Sequence, residues 1–511
     1  MAGAQKYDVI VIGAGHNGLT TAAFLAKSGR RVVVLEQRDQ IGGMAAAEEF
    51  HRGYIAPGVL HDTATVRHNL IRSLDLPRHG LELGAPPSIY APESGGGLLL
   101  HSDVSRAREE IARFSQRDAD RYKEFCSFVS RTKSFINGLL DDAPPDLLSP
   151  SPRIDWSLLK KGNALRKLGK SDMMELARVV PMSAADWLDE WFETDLLKAL
   201  LAGPAIHGAF MGPRSPGSAL NVLIWECRKG PVVKGGAPAL VRALEQSAEA
   251  NGAEIRTSAK VEGIAVEGGM VVGVTVDGER IECRAVASSC DPRKTMLELV
   301  PASEITDTLA GRMKAFRARG TSAKVNIALD ARLELAGRPG EAVEVVRTGE
   351  CLDDLEKAFD AIKYKRFSER PILDIYVPAS GVYAPPGHSV MSVMAYFVPY
   401  ELDGDWNYTQ REALGEAVVT VLNEFAPRIK DAVQSVEVLT PVELESRYGS
   451  TEGHVYHGEH ALDQLLIRPA PECSGYRSPI GGLYLCGSGS HPGGGLTCTP
   501  GALAARVIQS S

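Results

Sequence analysis

The feature that most constrains the fold is a glycine-rich turn near the start of the chain. Gly13, Gly15 and Gly18 complete a GxGxxG pattern that follows a short apolar run. A helical pattern comes next, and then a second apolar run that ends on Glu36. This order of strand, turn, helix, strand and acid within about 30 residues is typical of a dinucleotide-binding unit. The chain is therefore predicted to begin with a parallel Rossmann-type sheet.

Each of these residues has a predicted role in holding the dinucleotide. Gly13 allows the tight turn, Gly15 lets the backbone approach a pyrophosphate, and Gly18 lets the helix pack close to the strand. The helix start around Asn17 offers free N–H groups and the positive end of its dipole to the phosphates. Glu36 is predicted to accept hydrogen bonds from the adenosine ribose hydroxyls.

The residues after Glu36 favour FAD over NAD as the dinucleotide. Gly42 and Gly43 permit a second close approach of the backbone to the pyrophosphate. This layout resembles that of FAD-binding enzymes of the amine oxidase and phytoene desaturase group. In that group an arginine often follows the two glycines, whereas Met44 stands here. Met44 is counted among the predicted cofactor contacts.

Composition narrows the class of protein further. The chain has 511 residues, of which 44% are hydrophobic, and this is enough for a large core and more than one domain. Lys and Arg total 56 against 64 Asp and Glu, so a formal charge of −8 argues against nucleic-acid binding. Residues 1–6 are too short for a signal peptide, and no run of about 18 apolar residues predicts a membrane span. We therefore expect a cytoplasmic protein.

The cysteines predict neither a metal site nor a redox pair. None of the eight forms CxxC or has metal-ligand spacing, so we interpret them as reduced, mostly buried thiols. Disulfide reductases that bind FAD need two neighbouring cysteines and a second GxGxxG for a nicotinamide cofactor. The run GSGSHP at 487–492 fails at its sixth position. Electrons are therefore not expected to come from NAD(P)H bound in a second Rossmann domain.

Two later parts of the chain are predicted to complete the cofactor domain. A helix over 238–251 leads to a β-meander over 261–287, where an Asp-Gly turn between alternating strands indicates a hairpin. Val261 is predicted to lie near the adenine through its backbone. The predicted division gives the FAD-binding domain residues 1–60, 231–295 and 471–511, and the substrate-binding domain residues 61–230 and 296–470.

The closing stretch, 481–511, again has a strand, a glycine-rich loop and a helix start. Thr499 suits the N-cap of the last helix and Pro500 its first position. In FAD enzymes of this type, the positive end of such a helix points at the flavin edge and stabilises the reduced, anionic flavin. The predicted cofactor contacts in this stretch are Gly487, Ser488, Gly494, Gly495, Leu496 and Thr497.

The remaining segments predict a mixed α/β substrate domain with a sheet floor. Long helices are predicted over 118–140 and 183–201, and a basic cluster at 160–170 lies between them. We interpret this cluster as a solvated loop, and a peripheral contact with an anionic membrane surface is the alternative. Further strands are predicted at 325–329, 373–377, 389–397 and 435–440, with a helix over 411–425.

Three histidines are candidates for a catalytic acid or base. His491 lies in the loop between the last strand and the last helix, where reactive groups are often positioned, and Pro492 restricts the backbone after it. His61 lies in a segment that, in a fold of this kind, tends to pass near the flavin. His457 is the third candidate. The alternative for each is a purely structural role.

Nearly the whole chain resembles the phytoene desaturase-like family of FAD-dependent oxidoreductases. The likeness is carried by the first glycine motif with Gly42 and Gly43, by HGEHALDQLLIRP at 457–469, and most specifically by LYLCGSGSHPGGG at 483–495. The resemblance implies a glutathione-reductase-type Rossmann FAD-binding domain with an inserted substrate domain. It also implies a small-molecule organic substrate, because members of the family desaturate, isomerise or oxidise largely apolar or amine compounds.

Three functions follow from this resemblance. The first is a dehydrogenase or desaturase that moves hydride from a C–H bond of a largely apolar substrate to flavin N5, with oxygen, a quinone or another carrier as electron acceptor. The second is a flavin amine oxidase, which would use an aromatic cage. It is disfavoured because only 6% of residues are aromatic and no paired Tyr or Trp stands near the closing stretch. The third is a redox-neutral isomerase or an FAD-binding scaffold.

Overall fold

The computed structural model describes residues 7–93, 96–144, 156–338, 340–341, 343–379 and 381–511. Its strands are β1 Tyr7–Ile12, β2 Val32–Leu35, β3 Glu48–His51, β4 Tyr54–Ala56, β5 Leu83–Gly84, β6 Ile89–Ala91, β7 Leu98–Leu100, β8 Val232–Val233, β9 Glu254–Arg256, β10 Val261–Glu267, β11 Met270–Val276, β12 Glu279–Ser288, β13 Ser322–Leu329, β14 Val345–Arg347, β15 Ile372–Tyr376, β16 Ser389–Tyr396, β17 Val433–Leu439 and β18 Leu483–Leu485. Its helices are α1 His16–Lys27, α2 His68–Ser73, α3 Val104–Ile111, α4 Gln116–Leu140, α5 Trp156–Lys167, α6 Gly169–Val179, α7 Ala184–Trp191, α8 Asp195–Ile206, α9 Ser218–Arg228, α10 Gly236–Ala250, α11 Asp307–Ala315, α12 Leu352–Lys363, α13 Tyr408–Phe425, α14 Ile429–Ala432, α15 Pro441–Tyr448 and α16 Thr499–Gln509.

The first sheet is the Rossmann layer that the glycine motif predicts. Its strand order is β10-β11-β12-β1-β2-β9, and β18 pairs with β12. The pairs that involve β1, β2, β9 and β18 are parallel, and β10, β11 and β12 form the predicted antiparallel meander. Val9 and Val11 of β1 pack in one core with α1, α10 and α16, while Ile10 and Ile12 pack in a second core with the meander. Because both faces are covered, β1 is apolar along its length.

The second sheet lies in the region predicted for the substrate. Its strand order is β17-β13-β16-β15-β14-β6-β7, and within it only β14 and β6 pair in parallel. One face packs against α13 through apolar side chains such as Val325, Ile375 and Val393. Alternate residues along a strand point to opposite faces. The intervening positions, Lys324, Asp374 and Met394 among them, therefore occupy the other face.

The strands of the two sheets fall on different sides of the predicted domain division. Every strand of the first sheet lies within 1–60, 231–295 or 471–511, and every strand of the second lies within 61–230 or 296–470. A short pair, β5 with β8, joins the two parts. The domain boundaries themselves stay a prediction.

Two helical predictions were wrong. The basic cluster at 160–170 is not a loop, because α5 and the start of α6 contain it. The single helix predicted over 183–201 is two helices, α7 and α8. The break is held by Asp118, a fully buried residue whose carboxylate accepts hydrogen bonds from Glu193 N, at 3.0 Å, and Thr194 N, at 2.7 Å. A helix end needs such acceptors, since its first N–H groups have no partner within the helix.

Within the described ranges, no helix is long and apolar enough to cross a membrane. The peripheral membrane contact stays a prediction.

Replacement of Asp118 by alanine is expected to lower the free energy of unfolding by about 1.5–3 kcal/mol, the usual size for hydrogen bonds to a charged group. The measurement is thermal unfolding followed by circular dichroism. Asp120→Ala on the same helix is the control, because Asp120 is exposed and pairs only with Arg108 among the described residues, and such pairs contribute about 1 kcal/mol or less. Equal losses in the two variants would contradict the role given to Asp118.

Candidate functional site

A cleft of about 410 Å³ opens at the carboxyl ends of β1 and β2, and we call it the dinucleotide cleft. Ligands of open parallel sheets bind at this edge. The predicted cofactor contacts that line it are Gly13, Gly15, Asn17, Glu36, Gly43, Met44, Val261 and Ser488.

Gly15 keeps the front of the turn open. A Cβ placed on Gly15 would meet no atom within 4 Å. Gly15 is also the N-cap of α1 and provides no side-chain cap, which leaves N–H groups of the first turn available to an anion. Gly18 differs, because a Cβ there would overlap the carbonyl oxygen of Gly13. Gly15 thus leaves room for a ligand, whereas Gly18 lets α1 pack against the turn.

Polar groups in the cleft fit a dinucleotide. Glu36 is held at the end of β2, where its carboxylate accepts hydrogen bonds from Ala14 N at 2.7 Å and Arg38 N at 3.0 Å. Among the described residues, the buried atoms His16 Nε2 and Asn17 Oδ1 have no hydrogen-bond partner. The cleft therefore has the features that suit FAD binding: an acid at the strand end, an open glycine, a helix start and unpaired polar atoms.

The last helix begins at the same place as the first. A Cβ on Gly501 would overlap the backbone of Asn17, so the start of α16 lies directly against the start of α1. Thr21 Oγ1 donates to Gly501 O at 3.1 Å, and Asn17 Nδ2 donates to Ser488 Oγ at 3.0 Å. Two positive helix ends therefore converge beside the cleft.

Other predicted cofactor contacts are not among the residues that line the dinucleotide cleft. They are Gly18, Gly42, Gly487, Gly494, Gly495, Leu496 and Thr497. Gly487 and Gly494 have packing constraints instead, since a Cβ would crowd Ser289 O at the first and overlap Tyr456 at the second. The contacts of these residues with the cofactor stay predictions.

A small inner chamber of about 40 Å³ adjoins the cleft at Leu60, which lines both. Gly495 and Leu496 of the closing stretch form part of its wall. Its other polar and aromatic walls are His61, Asp62, Thr65, His207, Trp225, Asp374, Tyr396 and Tyr456.

The inner chamber borders an apolar cavity of about 360 Å³. The residues that line both spaces are His61, Asp62, Pro204, Trp225 and Asp374. Leu100, Leu200 and Leu201 contribute to the apolar wall. The dinucleotide cleft, the inner chamber and the apolar cavity thus lie one after another along one path, and each shares wall residues with the next. A larger surface cleft of about 1000 Å³ contains none of the predicted site residues.

A row of four residues crosses the second sheet beside this path. Arg347 is the direct partner of Asp374, Asp374 of Met394, and Met394 of Lys324. Direct partners on neighbouring strands share a face. The row therefore brings two cations and one acid to the face that lines the inner chamber and the apolar cavity.

Lys324 and His61 form a buried amine–imidazole pair. Lys324 is fully buried; its Nζ donates to Val59 O at 3.1 Å and lies within hydrogen-bond distance, 2.8 Å, of His61 Nδ1. Burial lowers the pKa of Lys324 to about 7, although Asp374 acts in the opposite direction. Burial, and then the charge of Lys324, holds the pKa of His61 well below its usual range. At neutral pH the imidazole is neutral, and the amine is poised to gain or lose a proton.

The three candidate histidines occupy different positions. His61 lines the inner chamber and the apolar cavity, and His457 lines the dinucleotide cleft. His491 lines none of these spaces. It is fully buried, and its Nε2 donates to Leu139 O at 3.1 Å. The predicted position of His491 beside the flavin therefore finds no support in its contacts, which match the structural alternative.

Sequence reasoning missed several residues of the inner chamber. The one available signal was Lys324, a cation at an alternate position of the apolar strand SAKVNIAL. The fold brings two tyrosines that are distant in sequence to the closing stretch. Tyr396 and Tyr456 both line the inner chamber beside Gly495, and each packs against His207, at centroid distances of 4.7 and 5.1 Å.

The cysteines form no redox pair in the part of the chain that the structure describes. No disulfide joins them. Cys290 lines the dinucleotide cleft, but burial raises its pKa to about 11, and burial raises the pKa of Cys486 and Cys498 to about 12. These thiols stay protonated at neutral pH and are poor nucleophiles. Among the described residues, no group of three or more His, Cys, Asp and Glu side chains is placed to hold a metal ion.

The chain belongs to the family of flavin-containing amine oxidoreductases, whose model matches residues 18–505. It is an FAD-dependent oxidoreductase, and the predicted resemblance, fold class and cofactor are confirmed.

Relatives and solved structures support this assignment. The chain is 33% identical to pyridine nucleotide-disulfide oxidoreductase domain-containing protein 2 of Rattus norvegicus, over 98% of this chain and 93% of that protein. It is 27% identical to one subunit of the limonene dehydrogenase of Castellaniella defragrans, over 99% and 95% of the two chains. The crystal structure of an oxidoreductase from Methanosarcina mazei has the same fold, with a TM-score of 0.60, 18% identity and coverage of 99% and 100%.

Gly15→Asp is expected to yield a folded protein without bound FAD. The new side chain enters open space in the protein alone, but it places a negative charge where the pyrophosphate is predicted to lie. The measurement is the flavin absorbance of the purified protein per chain. Gly138→Ala is the control, because a Cβ there also meets no atom and lies in α4. A Gly15→Asp variant as yellow as the parent would contradict the placement of the pyrophosphate.

The buried amine predicts a pH-dependent stability. The pKa of Lys324 is about 7 in the folded chain, and an unfolded lysine has a pKa of about 10.4. Between these values the unfolded chain binds a proton that the folded chain does not. The stability that Lys324 contributes therefore rises with pH, by up to about 1.4 kcal/mol per pH unit.

The measurement is the difference in unfolding midpoint between the parent and Lys324→Met from about pH 7 to about pH 10, the window given by the two pKa values. The unfolding midpoint of the parent should rise relative to that of Lys324→Met as pH rises. Lys357→Met replaces an exposed lysine, and its unfolding midpoint should stay equal to that of the parent at every pH. A parent–variant difference that does not change with pH would show that Lys324 is not a buried amine of low pKa.

Proposed function

We propose that this protein is an FAD-dependent dehydrogenase that oxidises a C–H bond of a largely apolar organic substrate. The observation that supports it best is the apolar cavity, which shares His61 and Asp374 with the inner chamber, while the inner chamber borders the dinucleotide cleft at Leu60. A substrate in the apolar cavity would therefore lie next to His61, on the side that faces the cofactor. The low fraction of polar wall in the cavity suits a hydrocarbon-like molecule.

The residues of the inner chamber supply a proton acceptor. Dehydrogenation removes a hydride and a proton from the substrate, and bound FAD accepts the hydride at N5. The neutral imidazole of His61 faces the chamber, and Lys324 Nζ lies 2.8 Å from its Nδ1. When the Lys324 amine is neutral, His61 Nδ1–H donates to Lys324 Nζ, and His61 Nε2 is then free to take the proton from the substrate. The surrounding apolar side chains exclude water from the reacting bond.

Amine oxidation is the second candidate, and one observation favours it. Tyr396, His207 and Tyr456 form an aromatic wall in the inner chamber, next to Gly495 of the closing stretch. Aromatic faces attract cationic amines. The buried amine of Lys324 disfavours a cationic substrate, because Lys324 lies beside the same chamber and pairs with His61.

The test is reduction of the bound flavin without oxygen. Limonene, decanol and decylamine are mixed anaerobically with the FAD-loaded protein, and loss of the yellow absorbance is followed. We expect an apolar probe to bleach the flavin and His61→Ala to slow this step by about 100-fold or more, the usual size of general acid–base catalysis.

The matched control is His491→Ala. At equal FAD content, its rate of anaerobic flavin reduction should stay within a few-fold of the parent rate. Bleaching by decylamine alone would favour the amine oxidase. Bleaching by NADPH at about 1 per second or faster, with no response to any organic probe, would contradict the dehydrogenase proposal.

A further inference from the structure

The apolar cavity contains a buried charged side chain with an unpaired hydrogen-bond donor. Arg347 ends β14, lines the apolar cavity, and exposes only 10% of its side-chain surface. Its Nε lies 3.3 Å from Asp374 Oδ2, within ion-pair distance. Among the described residues, Nε has no partner in hydrogen-bond geometry. A guanidinium carries five N–H donors, so Arg347 can donate to a ligand in the cavity while it stays paired with Asp374.

Among the residues that the structure describes, four acids line the cavity; Glu344 is exposed, and the other three already have partners. Asp374 accepts a hydrogen bond from Tyr396 OH at 3.0 Å and pairs with Arg347. Glu226 lies 2.6 Å from Lys229 Nζ. Asp62 accepts from Ala64 N at 2.8 Å, and burial raises its pKa, which disfavours its charged form.

The less exposed charges of the cavity differ in what they offer a ligand. A cationic headgroup would compete with the existing partners of Asp62, Glu226 and Asp374. An anionic headgroup would find the unpaired Nε–H of Arg347. Burial makes this difference large, because an unpaired charged group in an apolar site is costly.

We propose that Arg347 binds a carboxylate of the substrate, so that the substrate is an apolar organic acid. This inference rests on the proposed function in taking the apolar cavity as the substrate site. The planar fork of arginine matches the two oxygens of a carboxylate. The Trp225 ring, 5.7 Å from the guanidinium carbon, forms the apolar wall beside this anchor.

The position of Arg347 also fixes which part of such an acid reacts. Asp374, its direct partner across the sheet, lines both the apolar cavity and the inner chamber. A carboxylate on Arg347 therefore lies at the chamber end of the cavity. The carbons next to the carboxylate are the ones that reach His61, and the apolar remainder extends along Leu100 and Leu200.

Binding without turnover tests this inference. The FAD-loaded protein is titrated by calorimetry with octanoate, methyl octanoate, octanol and octylamine, which share one apolar chain. We expect octanoate to bind about tenfold or more tightly than each of the others, because only it pairs with the guanidinium. An ester, alcohol or amine that binds as tightly as octanoate would overturn the proposal.

Two variants assign the preference to Arg347. Arg347→Gln should weaken the binding of octanoate by about tenfold or more. The affinity for octanol should stay within a few-fold of the parent value. Because this change leaves Asp374 without its cation, the double variant Arg347→Gln/Asp374→Asn removes both charges and should give the same result. FAD content and the unfolding midpoint are measured first for each.

A cation at the rim provides the matched control. Lys234 also lines the apolar cavity, but it is 61% exposed and pairs with Glu82. Lys234→Gln should leave the preference for octanoate intact. If Lys234→Gln removes the preference and Arg347→Gln does not, the carboxylate binds at the rim and the proposal is wrong.

The outcomes separate this inference from the proposed function. Octanoate that binds through Arg347, in a protein whose flavin no organic probe bleaches, would contradict the dehydrogenase and leave the carboxylate site standing. A hydrocarbon or alcohol that bleaches the flavin, in a protein that does not prefer octanoate, would contradict the carboxylate site and leave the dehydrogenase standing.

Discussion

The arrangement of the site depends on the burial of Lys324 against the backbone and side chain of residues 59–61. An amine that leaves water needs hydrogen-bond partners. Val59 O and His61 Nδ1 supply them at 3.1 and 2.8 Å. Lys324 belongs to the second sheet, whereas Leu60 is tied to the cofactor side by its N–H bond to Met44 O at 2.9 Å. Residues 59–61 therefore link the second sheet to the cofactor side at the wall of the inner chamber.

The two sheets contribute different kinds of groups to the site. The first sheet provides backbone features, namely an open turn at Gly15 and two helix starts, and these suit the phosphates of any FAD enzyme of the fold. The second sheet provides side chains, and its row of Arg347, Asp374, Met394 and Lys324 gives the chamber its polarity. The apolar surroundings of this row also lower the pKa of Lys324.

The sequence predicted what is encoded locally. The strand–turn–helix–strand unit, the meander and the last helix all appear, because glycine positions and short apolar runs specify them within a few residues. Cofactor residues around Gly15 and Glu36 follow from the same unit. The break between α7 and α8 was missed, because its acceptor, Asp118, lies about 75 residues away in sequence.

The inner chamber could not be predicted from short stretches of sequence. Lys324 and His61 are 263 positions apart, and Arg347 meets Asp374 only through strand register. His491 shows the complementary difficulty. Its loop was placed correctly between β18 and α16, yet the direction of the ring depends on α4, whose Leu139 O accepts its hydrogen bond. Loop position can be inferred from sequence, whereas side-chain direction depends on distant packing.

The most direct test of this account is a crystal structure of the FAD-loaded protein. The account predicts that the adenosine end lies along Glu36 and Val261, and that the flavin ring lies against the inner chamber with one edge toward His61, Tyr456 and Leu496. The apolar cavity should stay open on the far side of the ring. A flavin ring that points away from the inner chamber, or one that fills the apolar cavity and leaves no room for a substrate, would contradict it.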